Sequence, residues 1–281
     1  FSSMPPLESV KILCSMMATL KGSRVRRKNL KLRLYDISRA HFYGEAQRKV
    51  YVTLPEGDEQ EGMCGNLRTT MYGTQDASKI WQEDYVDLLS QAQYQRGRSN
   101  GAVFYSQERG TRILVHGDDF MVLAKQDDVN SFEELLRSKY EYKKTANLGY
   151  DREANDDTEA VFLNLVIKLR GDNSAKTREC IIEPDTRHVA SLVNDLGMEK
   201  SKGLDCPSEK RSVDRQIADS RLPLLDASGK SQYRSLVMRA AYLAQDRPDI
   251  GETTKGLARR MNEPTEGDWG RLKRLARYLK K

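Results

Sequence analysis

Apolar and polar positions in the first part of the chain alternate with helical and strand-like periods. Residues 7–20 carry apolar side chains three and four positions apart, which predicts an amphipathic helix. In LKLRLYD, residues 30–36, leucines occupy every second position, which predicts a strand. Asp36 shares the face of these leucines if the strand stays regular. Residues 76–94 predict a second helix, with Trp81 in its apolar stripe.

The pattern in the middle of the chain indicates a sheet flanked by helices. The run RILVHGDDFMVLA, residues 112–124, predicts a β-hairpin with Asp118 and Asp119 at its tip. Residues 128–140 predict a short amphipathic helix, and EAVFLNLVIKL, residues 159–169, predicts one further strand. With the strands before them, these elements predict an α+β fold.

The last third of the chain has a helical pattern after a polar interruption. Residues 205–231 are rich in charge and contain Pro207, Pro223 and Gly229, which predicts a linker. Helical periods follow at 231–245, 249–262 and 265–281. Thr265 and Asp268 have the spacing of a capping box, which predicts where the last helix begins.

Composition limits the classes of protein to which the chain can belong. The 281 residues are 38% hydrophobic and 31% charged, and no apolar run is long enough to span a bilayer, so no membrane partner is expected. Four cysteines without a C-x-x-C pair disfavour a zinc site and favour a reducing, intracellular location, cytoplasmic or nuclear. A formal charge of +6 permits a polyanionic partner.

The doublet Asp118–Asp119 between two apolar runs is the strongest candidate for chemistry. An acidic turn alone explains it equally well, because Asp and Gly are common turn residues. Clustered carboxylates are, however, costly unless a cation neutralises them. Asp36 would be a third ligand, although a helix cap or a loop acid is the alternative for that residue. Three carboxylates suit two Mg²⁺ ions about 3.5–4 Å apart, with Mn²⁺ as a substitute.

Several strings in one order carry a resemblance to a known family. The chain contains, in sequence, YDISRAHFYG, VYVTLPEG, MYGTQDASKIW, VHGDDFMVLA, YRSLVMRAAYLAQDRPDI and RLKRLARYLKK. Each string is weak by itself, but the ordered set resembles the reverse transcriptase of copia-type (Ty1/copia) retrotransposons, a part of their Pol polyprotein. The resemblance implies an RNA-directed DNA polymerase that transfers deoxynucleotides from dNTPs to a DNA primer on an RNA template.

The resemblance also implies roles for individual residues. Asp36, Asp118 and Asp119 would be the catalytic carboxylates and metal ligands, and the backbone carbonyl of Ile37 would add a metal ligand. The residues implied at the incoming nucleotide are His41, Tyr72 and Gly73. His116 and Gly117 would lie nearest the primer end. The family usually has Y-V-D-D where this chain has His116-Gly117-Asp118-Asp119, and the glycine is expected to loosen the hairpin.

The fold that the resemblance implies is a polymerase palm, an antiparallel sheet backed by helices, with partial fingers and a helical thumb and connection region. Residues 1–170 would form the palm and fingers, 171–204 a thumb-like segment, 205–231 a linker and 232–281 a connection. That connection would lead toward a ribonuclease H domain absent from the sequence, and integrase would be a further polyprotein partner. The alternative is a decayed or incomplete fragment that only binds nucleic acid.

Basic and aromatic residues outside the carboxylate site have competing explanations. Lys273, Arg274 and Arg277 share one face of the last predicted helix, which suits contacts with duplex phosphates. A solvated helix face is the simpler alternative. Trp81 and Trp269 lie in helical stripes and are interpreted as core residues rather than base-stacking platforms.

Overall fold

The chain forms two compact units, each with its own hydrophobic core. A computed structural model describes residues 3–19, 30–172, 178–183, 186–209, 218 and 221–281. The first unit runs to Phe162 and includes Ile167–Ile182, whereas the second comprises Leu163–Val166 and Glu183–Lys281. The division into palm, thumb-like segment, linker and connection remains a prediction.

Up to residue 183, three α-helices accompany eleven strands in the described part of the chain. The helices are α1 (Leu7–Thr19), α2 (Ala77–Gln91) and α3 (Gln126–Arg137). A short 3₁₀ helix covers Ala40–Tyr43. The strands are β1 (Leu30–Ile37), β2 (Tyr51–Val52), β3 (Gly65–Asn66), β4 (Gln95–Arg96), β5 (Val103–Ser106), β6 (Thr111–His116), β7 (Asp119–Lys125), β8 (Tyr142–Leu148), β9 (Glu159–Phe162), β10 (Leu165–Arg170) and β11 (Glu179–Glu183).

Six strands form the main sheet in the order β4-β5-β6-β7-β1-β8, and every neighbouring pair is antiparallel. Smaller sheets of three strands, β11-β10-β9, and two strands, β2-β3, complete the strand pairings described. The predicted α+β class with an antiparallel sheet and helices is therefore confirmed. Strand β1 lies inside the main sheet, between β7 and β8.

Both faces of β1 are buried, and the alternation of its side chains decides what each face contacts. Tyr35 and Ile37 point into a core that contains Trp81 of α2 and Phe132 of α3. The leucines predicted on one parity, Leu30, Leu32 and Leu34, are also buried and lie on the opposite face. Helix α1 contacts β1. Removal of this apolar surface from water is the main force that orders the strand.

Two cationic side chains of β1 are buried as well. Lys31 is 1% exposed and Arg33 is 3% exposed. Lys31 forms an ion pair with Asp156, and the guanidinium of Arg33 pairs with Glu133 at 2.7 Å. The carboxamide of Asn147 accepts a further hydrogen bond from Arg33 at 2.8 Å. Burial of charge is tolerated at these positions because each cation has an anionic partner and directed hydrogen bonds.

The prediction of a single strand at residues 159–169 is wrong. The segment folds back as strands β9 and β10, with a turn at Leu163 and Asn164. Both turn residues have positive φ angles, 49° and 64° respectively. Asparagine adopts this left-handed conformation more readily than most residues do, which makes it a turn-former that the apolar run conceals.

The second unit is mainly helical. Its described helices are α4 (Thr186–Asp195), α5 (Ala227–Ala244), α6 (Gly251–Ala258) and α7 (Glu266–Leu279), with a 3₁₀ turn at Pro248–Ile250. Leucines from these helices share one core with Tyr233, whose hydroxyl donates to the carbonyl of Leu257 at 3.0 Å. The predicted capping box of α7 is present, with Thr265 and Asp268 each bonded to the other's backbone N–H.

The predicted linker at 205–231 is only partly described, because residues 210–217 and 219–220 lie outside the described part of the chain. Its last residues belong to α5, which corrects the predicted end of the linker. Asp226 caps this helix by accepting a hydrogen bond from the amide of Gly229 at 2.7 Å. Among the described helices, none has both the length and the apolarity that a bilayer crossing requires.

Candidate active site

The end of β1 and the β6–β7 hairpin bring the three predicted aspartates into one region of the main sheet. Asp36 and Asp119 are directly opposite each other in the pairing of β1 with β7. The amide of Ile37 donates to the carbonyl of Asp118 at 2.9 Å. Asp36 and Asp119 are therefore a non-hydrogen-bonded antiparallel pair, in which the Cβ atoms lie about 4.5–5.5 Å apart on one face. Because the register of β1 with β7 is regular, Asp36 lies on the same face of the strand as Leu32 and Leu34, as predicted.

The hairpin is tighter than the sequence indicated. His116 pairs with Asp119, so the loop consists of Gly117 and Asp118 alone, and Asp119 is the first residue of β7. The prediction that both aspartates occupy the hairpin tip is corrected in this respect. Gly117 has a φ angle of +65°, a conformation that glycine adopts without steric cost.

A buried tryptophan holds this loop. The indole N–H of Trp81, in α2, donates to the carbonyl oxygen of Gly117 at 2.8 Å. Trp81 is a core residue, as predicted, and is 1% exposed. Its polar contact with the hairpin was not predicted, because nothing in the helical stripe shows where an indole N–H points. The expected loosening at Gly117 is opposed by this bond.

The three carboxylates repel one another. Burial, together with the negative charges of Asp118 and Asp36, raises the pKa of Asp119 to about 6. No cation lowers it, and no ion pair with a described residue involves any of the three side chains. At neutral pH an ionised carboxylate beside two others is repelled by them, and a divalent cation stabilises such a cluster by offsetting this repulsion.

The chemistry of the donor set fits Mg²⁺ or Mn²⁺, since hard divalent cations prefer carboxylate oxygens. The side chains themselves are not yet arranged around a common ion. Within the described residues, no group of three His, Cys, Asp or Glu side chains has an arrangement that could hold a metal ion. The backbone brings the carboxylates together, and the side chains would have to turn toward a shared ion.

Two predicted nucleotide-binding residues lie beside this region as a stacked pair. The rings of His41 and Tyr72 are 4.3 Å apart with an interplanar angle of 26°. Burial lowers the pKa of the His41 imidazole, and Asp118 opposes this, so the ring is neutral near pH 7. Burial and then Asp118 raise the pKa of Tyr72. Its ring remains 45% exposed, and Gly73 follows with a φ angle of +91°.

The Nδ1 atom of His41 is buried and has no hydrogen-bond partner. Its backbone carbonyl accepts a hydrogen bond from the hydroxyl of Thr70, which ties the 3₁₀ helix to the segment that leads to Tyr72. An unpaired buried ring nitrogen is uncommon and costly. The stacked pair of His41 and Tyr72 therefore contains a ring nitrogen that has no hydrogen bond to the protein.

The remaining predicted site residues are less directly informative. The side chain of Ile37 is 1% exposed, and the role of its carbonyl as a metal ligand stays a prediction. His116 is half-buried opposite Asp119. The roles of His116 and Gly117 at a primer end also stay predictions.

The basic face predicted on the last helix contacts its own chain in the second unit. Arg274 of α7 pairs with Glu209, and the guanidinium of Arg277 donates to the carbonyl of Lys202 at 2.9 Å. Lys280 donates to the carbonyl of Ser201 at 2.8 Å. The face is therefore covered in part by residues 199–209, and contact with nucleic-acid phosphates stays a prediction.

Comparison with known sequences gives the class of the protein. A family model described as reverse transcriptase (RNA-dependent DNA polymerase) matches residues 1–152, which is more than half of the 281 residues. The chain therefore belongs to the reverse transcriptase family. The prediction that it is of the copia type is confirmed by its similarity to plant retrotransposon polyproteins.

Two such relatives span most of the chain. It is 24% identical over 256 residues to the Retrovirus-related Pol polyprotein from transposon RE2 of Arabidopsis thaliana, which covers 88% of the chain and 16% of that polyprotein. It is 19% identical over 288 residues to the Retrovirus-related Pol polyprotein from transposon TNT 1-94 of Nicotiana tabacum, covering 100% of the chain and 20% of the relative. The chain thus corresponds to a fifth or less of their length.

Proposed function

We propose that the chain is the catalytic core of an RNA-directed DNA polymerase, a palm with partial fingers that is followed by a thumb and connection region. In the proposed reaction, the 3′-hydroxyl of a DNA primer attacks the α-phosphate of a dNTP selected by an RNA template, and pyrophosphate leaves. Membership in the reverse transcriptase family supports the reaction class. The register that sets Asp36 opposite Asp119 is the observation that carries the proposal for this chain.

Asp36, Asp118 and Asp119 would hold the metal ions in this proposal. Two Mg²⁺ ions, or Mn²⁺ in their place, would supply charge neutralisation for the attacking and leaving oxygens. The protein would hold the aspartates in place, because the β1–β7 register and the short hairpin loop set the backbone position of each one. Such fixed placement removes entropy and reorganisation from the barrier.

His41 and Tyr72 would form one wall of the nucleotide site. Their stacked rings present a planar surface, and their electrostatic coupling to Asp118 indicates that they lie near the hairpin loop. Gly73 adds no side chain at the next position, and no other atom lies within 4 Å of a Cβ built there. This wall would contact the base or the sugar of the incoming nucleotide.

Primer extension on an RNA template with Mg²⁺ is the direct test. Substitution of Asp118→Asn with Asp119→Asn removes two negative charges and is expected to lower the rate by about a thousandfold, because electrostatic stabilisation is lost. Asp127→Asn, at an exposed position in the first turn of α3, is the matched control and should retain parent activity. Undiminished extension by the double variant would contradict the proposal.

A chain that binds nucleic acid without catalysis is the second candidate. The absence, among described residues, of three side chains already arranged around a metal favours it. Binding of a primer–template duplex that weakens steeply with salt, with no nucleotide incorporated in Mg²⁺ or Mn²⁺, would select this function.

The relatives are named as Pol polyproteins, so we also propose that the chain works beside other polyprotein domains, with ribonuclease H and integrase as partners. An intracellular location, cytoplasmic or nuclear, goes with that proposal. Co-purification of the chain with such domains from a full-length polyprotein is the measurement that checks it.

A further inference from the structure

We propose that Trp81 is a positioning residue of the carboxylate site, whose indole N–H fixes the Gly117 carbonyl and thereby orients the loop that carries Asp118. The inference rests on the proposed function in one respect, because it concerns the same carboxylates. Beyond that function, it assigns a task to a buried residue of α2 that is not one of the three carboxylates.

The two-residue loop is held from two sides. The carbonyl of Gly117 accepts the indole N–H of Trp81 at 2.8 Å, and the carbonyl of Asp118 accepts the amide of Ile37 at 2.9 Å. The donors belong to different elements, α2 and β1. Both carbonyls of the loop therefore have fixed partners, and the Asp118 peptide is left with little rotational freedom.

Trp81 is well suited to act as a fixed donor. Its ring packs against Tyr85, Tyr140 and Phe120, with ring centroids 5.4, 5.0 and 6.5 Å away and steep interplanar angles. Phe120 directly follows Asp119 in β7. An indole has one N–H donor and no acceptor, so a buried tryptophan that lost this bond would leave the donor unsatisfied. The bond is therefore retained while the core stays packed.

The loop needs such an anchor for two reasons. Glycine at position 117 gives the backbone more freedom than any other residue would. In addition, the negative charges of Asp36, Asp118 and Asp119 favour movement of Asp118 away from the other two. A hydrogen bond from a rigid helix opposes that movement before any cation is bound.

Tyr85 provides a matched control on the same helix. It is buried, it contacts Trp81 and Phe120, and its hydroxyl accepts a hydrogen bond from the side-chain amide of Gln82 at 3.2 Å. Tyr85→Phe thus removes a buried polar group next to Trp81 without removing a bond to the hairpin. Trp81 itself is changed in two ways, to Phe and to β-(3-benzothienyl)alanine in a Trp269→Phe background, the latter of which exchanges the N–H for sulfur at nearly constant shape.

The first measurement is hydrogen exchange of the Ile37 amide in the metal-free full chain. This amide reports on the loop because its acceptor is the carbonyl of Asp118. Trp81→Phe and the benzothienyl variant are expected to accelerate its exchange by about tenfold, which corresponds to the loss of one hydrogen bond. Tyr85→Phe should leave the rate within about twofold of the parent.

The second measurement is calorimetric titration with Mn²⁺. We expect the apparent dissociation constant to rise by about five- to tenfold in both Trp81 variants and to stay constant in Tyr85→Phe. Unchanged Ile37 exchange in the benzothienyl variant would overturn the inference, whatever the metal does. Faster exchange together with no Mn²⁺ binding by the parent would support the role of Trp81 and would remove the metal site from the proposed function.

Discussion

The two ends of strand β1 carry charge in opposite ways. At the end that contains Lys31 and Arg33, each buried cation is neutralised by a carboxylate of the same chain. Although burial opposes it, Lys144 and Arg33 hold the pKa of Glu133 below its usual range. At the other end, Asp36 faces Asp119, whose pKa is raised to about 6 by burial and by two neighbouring carboxylates.

This difference separates a cluster whose charges are paired within the chain from the candidate functional site. The Lys31 and Arg33 pairs are complete, so they need nothing from outside the chain. The aspartate region has a surplus of negative charge and no described cationic partner. Strongly shifted carboxyl groups of this kind are concentrated at functional sites because folding alone does not favour them. A divalent cation is the ligand that the proposed function assigns to this end of the strand.

The largest expected effect comes from breaking the buried ion pair between Lys31 and Asp156. Lys31→Met leaves the carboxylate of Asp156 buried without its cation and should lower the free energy of unfolding of the first unit by about 3–5 kcal/mol. Urea denaturation measures the change. Lys31→Met combined with Asp156→Asn should recover part of the loss, because the buried charge is then gone.

A matched substitution tests whether burial is the reason. Lys79 forms an exposed ion pair with Glu83 at 3.5 Å on α2. Lys79→Met should change the free energy of unfolding by less than about 0.5 kcal/mol. A loss as large as that of Lys31→Met would show that the buried pair has no special role.

The next largest effect concerns the other end of β1, where Asp36 faces Asp119. Mg²⁺ at about 100 times its dissociation constant should stabilise the first unit by about 2.7 kcal/mol, because a ligand that binds only the folded state shifts unfolding by mass action. Scanning calorimetry at constant ionic strength measures the rise in Tm. Asp36→Asn with Asp119→Asn should abolish the rise, and an equal rise in this variant would place the ion elsewhere.

The smallest effect is a pH dependence in the absence of metal. The pKa of Asp119 is about 6 in the folded chain and near 3.8 when unfolded, so the folded state binds this proton more tightly. The resulting stability is present below about pH 4 and is lost as the pH rises through 6. In EDTA at pH 8, Asp119→Asn should therefore raise the free energy of unfolding by about 1 kcal/mol, after allowance for solvent screening. The gain should vanish at pH 4, and a gain independent of pH would contradict the assigned repulsion.

Periodic patterns were the reliable part of the sequence. The alternation in β1 and the helical stripes of α1, α2 and α3 predicted these elements, since burial of one face imposes a fixed spacing. The capping box at Thr265 was predicted for a similar local reason. The turn at Leu163 and Asn164 was missed because an apolar run hides a backbone conformation that only the folded hairpin requires.

In the candidate site, too, the sequence predicted the local features and missed the long-range contacts. Asp118 and Asp119 were recognisable as an acidic doublet between apolar runs, and the ordered motifs indicated the family. The partners of Lys31 and Arg33 were not predictable, since Asp156 and Glu133 lie more than 90 positions away along the chain. Likewise, the basic face of α7 looked free in the sequence, but Arg274 and Arg277 bind residues 199–209.

The sequence by itself determined the local elements, the family and the carboxylates that are candidates for chemistry, because these depend on spacing and residue type. Only the tertiary structure decided that Asp36 lies opposite Asp119, that the loop consists of Gly117 and Asp118, and that Trp81 holds it. Strand register and the direction of a side-chain donor arise from contacts between residues far apart in the chain. No local pattern encodes them.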